Sequence, residues 1–292
     1  VRELRFVKAL TALENAEALD PIVNKVKGIV NTIIQPQPVR DVLHGVPVGH
    51  AVHPAIILVP AGAWISAGAL DLIPGMEKAS KFLVGLGVLS AAPAVATGYT
   101  DWSEMHEQQM RVGIVHSAAN AVATGLYAVS FIQRARGKHT SGKVLGFVGL
   151  ALVSGAGFIG GHLSYRQAAG VNHAEEIPHR FPEGWQLLGP LYDFADNELN
   201  KAEVAGLPLL VLRRGDKVEV LSNTCSHLSA PLNEGELVSG DGGDPCVVCP
   251  WHASVFSMTT GEVEAGPATA PQPRFETRVV DGVIEVLLPN AG

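Results

Sequence analysis

Two short runs hold donor atoms of metal-binding type at metal-binding spacing: Cys225-Ser-His227 and Cys249-Pro-Trp-His252. Together they offer two thiolates and two imidazoles to one centre. A structural zinc site uses such a set, but zinc fingers place Cys with Cys and His with His, whereas each run here supplies one of each. Pro231 and Pro250 stiffen both runs, so the donors are held before a metal arrives.

The flanking residues extend the pattern. Asn223-Thr-Cys-Ser-His-Leu-Ser-Ala-Pro-Leu-Asn-Glu-Gly235, Val248-Cys-Pro-Trp-His-Ala-Ser-Val-Phe256 and Thr260-Gly-Glu262 resemble the Rieske ferredoxins and ferredoxin-like domains over about residues 185–289. The resemblance implies an antiparallel β domain and a [2Fe-2S] cluster. Cys225 and Cys249 would hold one iron, and His227 and His252 the other. Such mixed ligation gives potentials of roughly −150 to +300 mV, against about −400 mV for all-Cys plant-type centres. It also implies that Ser254 donates a hydrogen bond to cluster sulfur.

Departures from the family pattern narrow the type. Ala230 and Trp251 stand where high-potential members carry bridging cysteines, and Phe256 stands where they carry a Tyr hydroxyl. A low-potential, ferredoxin-type centre is expected. Of three cysteines only Cys246 is left over, and it reads as a small buried apolar residue. Rieske oxygenases add an iron site with two His and a carboxylate, yet no His follows His252, so oxygenase chemistry is not expected. The run from Phe275 to Leu288 alternates like paired strands around Asp281-Gly282.

The first half belongs to another solvent. Mean hydropathy is +0.23, and four segments are long and apolar enough to span a bilayer: His50–Ile73, Phe82–Thr100, Val112–Gln133 and Val144–Tyr165. Their Gly, Ala and Ser allow close helix packing. Leu43-His-Gly45, Gly49-His-Ala-Val-His-Pro54, Gly98-Tyr-Thr-Asp-Trp102 and Gly160-Gly-His-Leu-Ser-Tyr165 resemble an uncharacterised four-helix membrane-protein family over about residues 40–170. That resemblance implies topology and no chemistry.

Histidines inside membrane segments are functional by default. His50 and His53 begin the first span, His116 lies near the start of the third and His162 near the end of the fourth. In an antiparallel bundle these positions share one membrane face. Three readings stay open: a b-type haem held by two of His53, His116 and His162, a quinone pocket lined by them, or imidazoles that only tie helices together. Haem c is excluded for want of Cys-x-x-Cys-His.

Four regions are expected: amphipathic or surface helices over 1–49, the transmembrane bundle over 50–165, a linker over 166–184 and the Rieske domain over 185–292. The fold class is therefore multi-domain, an all-α four-helix transmembrane bundle plus an all-β antiparallel domain. Within 1–49, Asp20-Pro21 reads as a helix start, followed by Ile22, Val23, Val26, Ile29, Val30 and Ile33 on one broad face, suited to the membrane surface or to the Rieske domain. No signal peptide is evident.

Residues 1–165 carry 13 Lys and Arg against 10 Asp and Glu, a formal charge of +3; residues 166–292 carry 8 against 18, or −10. Nucleic acid is not an expected partner; membrane lipid, a redox partner protein and quinone are. Lys and Arg near the spans favour external termini under the positive-inside rule. The charged N-terminal region and a cluster that must be assembled before export favour a cytoplasmic Rieske domain in a bacterial plasma membrane, which is the expectation adopted. The expected function is a membrane-anchored Rieske electron carrier passing single electrons between a membrane donor or acceptor, quinone or haem, and a partner protein. A carrier or oxidoreductase subunit is expected ahead of a stand-alone enzyme. The alternative is a subunit that senses redox state or oxygen, or serves as a scaffold, without turnover.

Overall fold

A computed structural model describes residues 5–289. The helices, in chain order, are α1 (Arg5–Glu14), α2 (Asp20–Ile33), α3 (Gln37–His44), α4 (His53–Ile56), α5 (Leu58–Leu70), α6 (Glu77–Trp102), α7 (Glu107–Ala135), α8 (His139–Tyr165) and α9 (Ile177–Arg180). Among the described residues ten strands follow: β1 (Gln186–Pro190), β2 (Leu199–Val204), β3 (Leu207–Arg214), β4 (Lys217–Ser222), β5 (Glu236–Ser239), β6 (Pro245–Val248), β7 (Val255–Ser257), β8 (Val263–Ala265), β9 (Arg274–Val280) and β10 (Val283–Leu287). The chain forms two compact units. One comprises residues up to Gln35 and Ala51–Ala169, the other Pro36–His50 and residues from Gly170 onward.

Among the described residues, the helical unit contains four helices long and apolar enough to cross a membrane: His53–Leu70, Glu77–Trp102, Glu107–Ala135 and His139–Tyr165. At most 28% of any of these apolar windows is buried inside the protein. Leu58, Phe82 and Leu89 are about 70% exposed, a surface that lipid, and not water, would cover. Where the helices do meet, glycine makes room for aromatic rings. Trp64 stacks on Tyr127 with ring centroids 4.2 Å apart and planes 4° from parallel. A Cβ at Gly87 would collide with the Trp64 indole nitrogen, and one at Gly149 would stand 2.9 Å from the Tyr127 ring. Small residues thus set the helix spacing where no hydrophobic force drives association.

A buried ion pair closes one end of this bundle. Arg134 donates to both Asp71 carboxylate oxygens at 2.7 and 2.6 Å and to Ser80 at 2.9 Å, while Lys143 Nζ donates to the Asp71 carbonyl at 2.8 Å. Both pair members are nearly inaccessible, 1% and 2% exposed. A charge in lipid must be paired in this way. Toward the other end α1 and α2 pack on α7. Arg111 grips the Asp20 carboxylate at 2.6 and 2.8 Å, and Val23 packs with Trp102, Met110 and Ile114.

The first unit therefore takes α1 and α2, but not the rest of the expected 1–49 region. Gly45 and Gly49, at φ of 99° and 63°, turn the chain after α3, and the first span begins at His53 with Pro54 in its first turn, not at His50. Segment 36–50 belongs with the β unit. The stretch expected as a linker is also engaged: Ala174, Ile177 and Phe181 are buried in the β core.

The β unit has two antiparallel sheets, one ordered β1-β10-β9-β4-β3-β2 and the other β5-β6-β7-β8. Strand β3 shows why its sequence is apolar almost throughout. Side chains alternate between faces. Leu207, Leu209 and Val211 enter one core with Phe181, Val220 and Phe275, while Leu210 and Leu212 enter a second with Leu221, Leu232 and Phe256. That second core also contains Cys225 and Cys249, so the candidate donors rise from the best-buried part of the unit.

Candidate metal centre

Cys225 and His227 lie in the loop from β4 to β5, and Cys249 and His252 in the loop from β6 to β7. The two loops use the same backbone device. The Cys225 amide donates to the Ala230 carbonyl at 2.9 Å, and the Cys249 amide to the Ser254 carbonyl at 2.8 Å. Four residues after each cysteine, the Ser229 and Ala253 amides return to the Cys225 and Cys249 carbonyls at 2.9 and 3.1 Å. Ser229 and Ala253 sit at φ of 66° and 56°. Non-glycine residues in this left-handed region carry local strain, which the surrounding hydrogen bonds must hold.

This folding aims amides at sulfur. The His227 and Leu228 amides donate to the Cys225 sulfur, and the Trp251 and His252 amides to the Cys249 sulfur. Backbone N–H groups so placed favour thiolate. The thiols also bond to each other. That bond, with burial, pushes the Cys225 thiol up, while the same bond lowers Cys249 to about 6. The two sulfurs therefore titrate as a pair, with Cys249 the readier thiolate.

The imidazoles complete the set. The His227 and His252 rings stand 5.1 Å apart, centroid to centroid, and 88° from parallel. Both are half-buried, in contrast to the fully buried cysteines. Among the described residues, no three His, Cys, Asp or Glu side chains converge as one metal ion would require. The donors come instead as a thiol pair and an imidazole pair.

The loops are braced from outside. Ser254 is fully buried, and its Oγ accepts from the Ala268 amide at 3.1 Å. Ser226 Oγ donates to the Ala270 carbonyl at 2.7 Å. The Gln272 amide, oriented to satisfy both groups, donates to the Thr224 carbonyl at 3.0 Å and accepts from the Ser226 amide at 2.7 Å. Phe256 is buried in the core beneath the loops, Ala230 is buried, and Trp251 is 49% exposed. Cys246 is buried in β6, with its thiol 3.8 Å from the Asp244 carbonyl. The sequence offered no sign of the bracing residues Gln272 and Ala268, whose partners lie far away along the chain.

His53, His116 and His162 each make a contact with another helix. His53 Nδ1 lies 3.0 Å from the Ala94 carbonyl, and His116 Nδ1 lies 2.8 Å from the Ala156 carbonyl. A carbonyl only accepts, so each of these bonds is donated by an Nδ1–H. The His116 Nε2 is 3.2 Å from the Asn120 amide nitrogen. His162 Nε2 pairs with Glu14 at 2.7 Å. His50 lies in the other unit. Gly98 and Gly160 leave space for the His53 and His116 rings, which a Cβ would approach to 2.7 and 3.1 Å.

Comparison with known proteins accounts for both units. A model of the Rieske [2Fe-2S] domain matches residues 184–276, and a model of a predicted membrane protein family (DUF2231) matches residues 49–173. The anthranilate 1,2-dioxygenase ferredoxin subunit of Burkholderia cepacia is 37% identical over 103 residues, which is 35% of this chain and 90% of that protein. Ferredoxin CarAc of Metapseudomonas resinovorans is 37% identical over 83 residues, 28% of this chain and 73% of that protein. Among solved structures, the ferredoxin of carbazole 1,9a-dioxygenase from Nocardioides aromaticivorans IC177 has 26% identity, covers 37% of this chain and 100% of that one, and gives a TM-score of 0.33. Through residues 184–276 the chain belongs to the Rieske [2Fe-2S] family, and it joins that domain to a DUF2231 membrane-protein region over residues 49–173.

Proposed function

We propose that this protein is a membrane-anchored electron carrier of ferredoxin type, passing single electrons between a redox donor or acceptor in the membrane and a partner protein. The observation that carries the reading is the matched pair of loops, each presenting a buried, amide-bonded cysteine beside a half-buried histidine. Cys225 and Cys249 would hold one iron as thiolates, and His227 and His252 the other. The [2Fe-2S] group, when bound, supplies one-electron exchange at a potential that its surroundings set. The chain's own residues do the rest. The core under β3 and β4 keeps water from the sulfurs, and the imidazoles face outward with Trp251 beside them, where an electron would enter or leave. Ala230, Trp251 and Phe256 in place of cross-linking or hydroxyl-bearing residues favour a potential low in the Rieske range.

Two relatives are by name ferredoxins, one of them a dioxygenase subunit, which supports a protein redox partner here as well. For the membrane side we favour His53 and His116 over His162. The His53 Nε2 could meet a haem iron or the hydroxyl of a quinol, and the His116 Nε2 could do so by giving up its Asn120 contact, whereas His162 is committed to Glu14. We place the cluster domain on the cytoplasmic face of a bacterial plasma membrane.

Iron and acid-labile sulfide analysis, together with paramagnetic resonance of the reduced, detergent-purified protein, tests the core of this reading. Two irons and two sulfides per chain with a Rieske-type signal are expected, and bound zinc without sulfide would overturn it. The optical spectrum of the same sample reports on haem. Protease treatment of right-side-out vesicles reports on orientation: digestion of the cluster domain without lysis contradicts the cytoplasmic placement.

A further inference from the structure

The second ligand loop is held down by a segment that sequence order places far from it. Helix α3 and the turn after it pack against β8, within the β unit. Asp41 Oδ1, on α3, accepts from the Gly266 amide at 2.9 Å across 225 residues of chain, and also from Gln37 Nε2 at 2.8 Å. Gly266 has no substitute at this point. Its φ is +96°, and a Cβ there would stand 2.6 Å from the Ser254 Cα and 2.9 Å from the Ala253 carbonyl oxygen. Its backbone is therefore pressed directly on the loop that carries Cys249 and His252.

From Gly266 the contacts run on to the Cys249 backbone. Two residues later, the Ala268 amide donates to Ser254 Oγ at 3.1 Å, and the Ser254 carbonyl accepts from the Cys249 amide at 2.8 Å. With its oxygen engaged as an acceptor, the Ser254 hydroxyl is fixed in place and keeps its proton to donate. Hydrogen bonds toward cluster sulfur are among the main means by which a protein sets the potential of such a centre.

We propose that Asp41 is a positioning residue for the cluster: through Gly266 and Ala268 it fixes the Ser254 hydroxyl, so the segment that leads into the first membrane span helps to set the redox potential. The carboxylate acts as an acceptor at a defined place, and its charge is secondary. This inference rests on the cluster reading above. A wild-type protein without a Rieske signal would defeat that reading, whereas the comparisons below bear on Asp41 alone.

The experiment is redox titration of the full-length protein in detergent, with hydrogen–deuterium exchange over 266–268. Asp41→Asn keeps an acceptor oxygen and loses the charge; Asp41→Ala loses both. Asp41→Ala is expected to lower the midpoint potential, shift the paramagnetic resonance line shape and speed exchange at 266–268, while Asp41→Asn stays near wild type. In a Ser254→Ala background, Asp41→Ala should add no further shift, because the two residues act on one hydrogen bond. If Asp41→Ala fails to retain the cluster, Asp41→Ser, too short to reach Gly266, carries the same comparison. The proposal is overturned if the Ala and Asn variants shift the potential together, if the Ala shift survives in the Ser254→Ala background, or if Asp41→Ala changes nothing.

Discussion

Single side chains divide the work of the centre. The cysteines are buried and receive amide hydrogen bonds, while the histidines reach the surface, so removing either kind has a different consequence. Cys249→Ala would delete a proposed ligand and leave the Cys225 sulfur in its amide cradle without the second thiol. Loss of bound iron and of visible absorbance is expected, with helical circular dichroism kept because the helical unit is separate. Glu219 shows how a charge is used away from the centre. Burial raises its pKa, but hydrogen bonds from Lys217 at 2.7 Å and Arg214 at 3.0 Å outweigh that effect and hold the carboxyl below its usual value. A depressed folded pKa contributes stability above the unfolded carboxylate value of about 4.3 and loses it as pH falls through the folded value. Glu219→Gln should therefore cost about 1 kcal/mol at neutral pH, the scale of a partly screened pair. In thermal melts the gap from wild type should close below about pH 4; a gap that persists there would mean that packing, not charge, is responsible.

Secondary elements show where local pattern informs and where it stops. The spans were legible because a run of apolar residues needs no partner to be recognised, and the ligand loops were legible because spacing within one loop is a local property. The Arg134–Asp71 pair was not, since 63 residues separate its members and neither residue alone announces the other. Asp41 and Gly266 escaped for the same reason, and so did the docking of α2 on α7, because an amphipathic face states that it will be covered but not by what. The buried pair also makes a prediction at this scale. It ties the end of α5 to α6, α7 and α8 through Asp71, Ser80, Ser130 and Lys143. Arg134→Met should destabilise the helical unit by about 3–5 kcal/mol, because it leaves a buried carboxylate unpaired. Arg134→Met with Asp71→Leu should recover most of that loss. Thermal denaturation in detergent, followed by helical circular dichroism, separates the two, and equal loss in both variants would assign the cost to packing alone.

At the scale of the whole molecule, charge divides close to the junction between the last long helix and the β strands. Residues 166–292 carry 18 Asp and Glu against 8 Lys and Arg, whereas residues 1–165 carry 10 against 13. A bilayer anchor with a slight positive excess suits an anionic lipid surface. An acidic Rieske domain attracts a basic docking face from beyond contact distance, and such steering raises association rates by ten- to a thousandfold when salt is low. The Debye length is about 10 Å at 0.1 M salt and about 3 Å at 1 M, so the advantage must fade as salt rises. With a small basic redox protein as acceptor, the second-order rate of cluster oxidation should fall by about tenfold or more across that range. With an acidic acceptor of similar potential it should stay level or rise. Stopped-flow oxidation of the reduced full-length protein in detergent reads both rates on one sample. Equal salt dependence for the two acceptors would leave the acidic surface a role in solubility alone, and opposite slopes would make it a docking device.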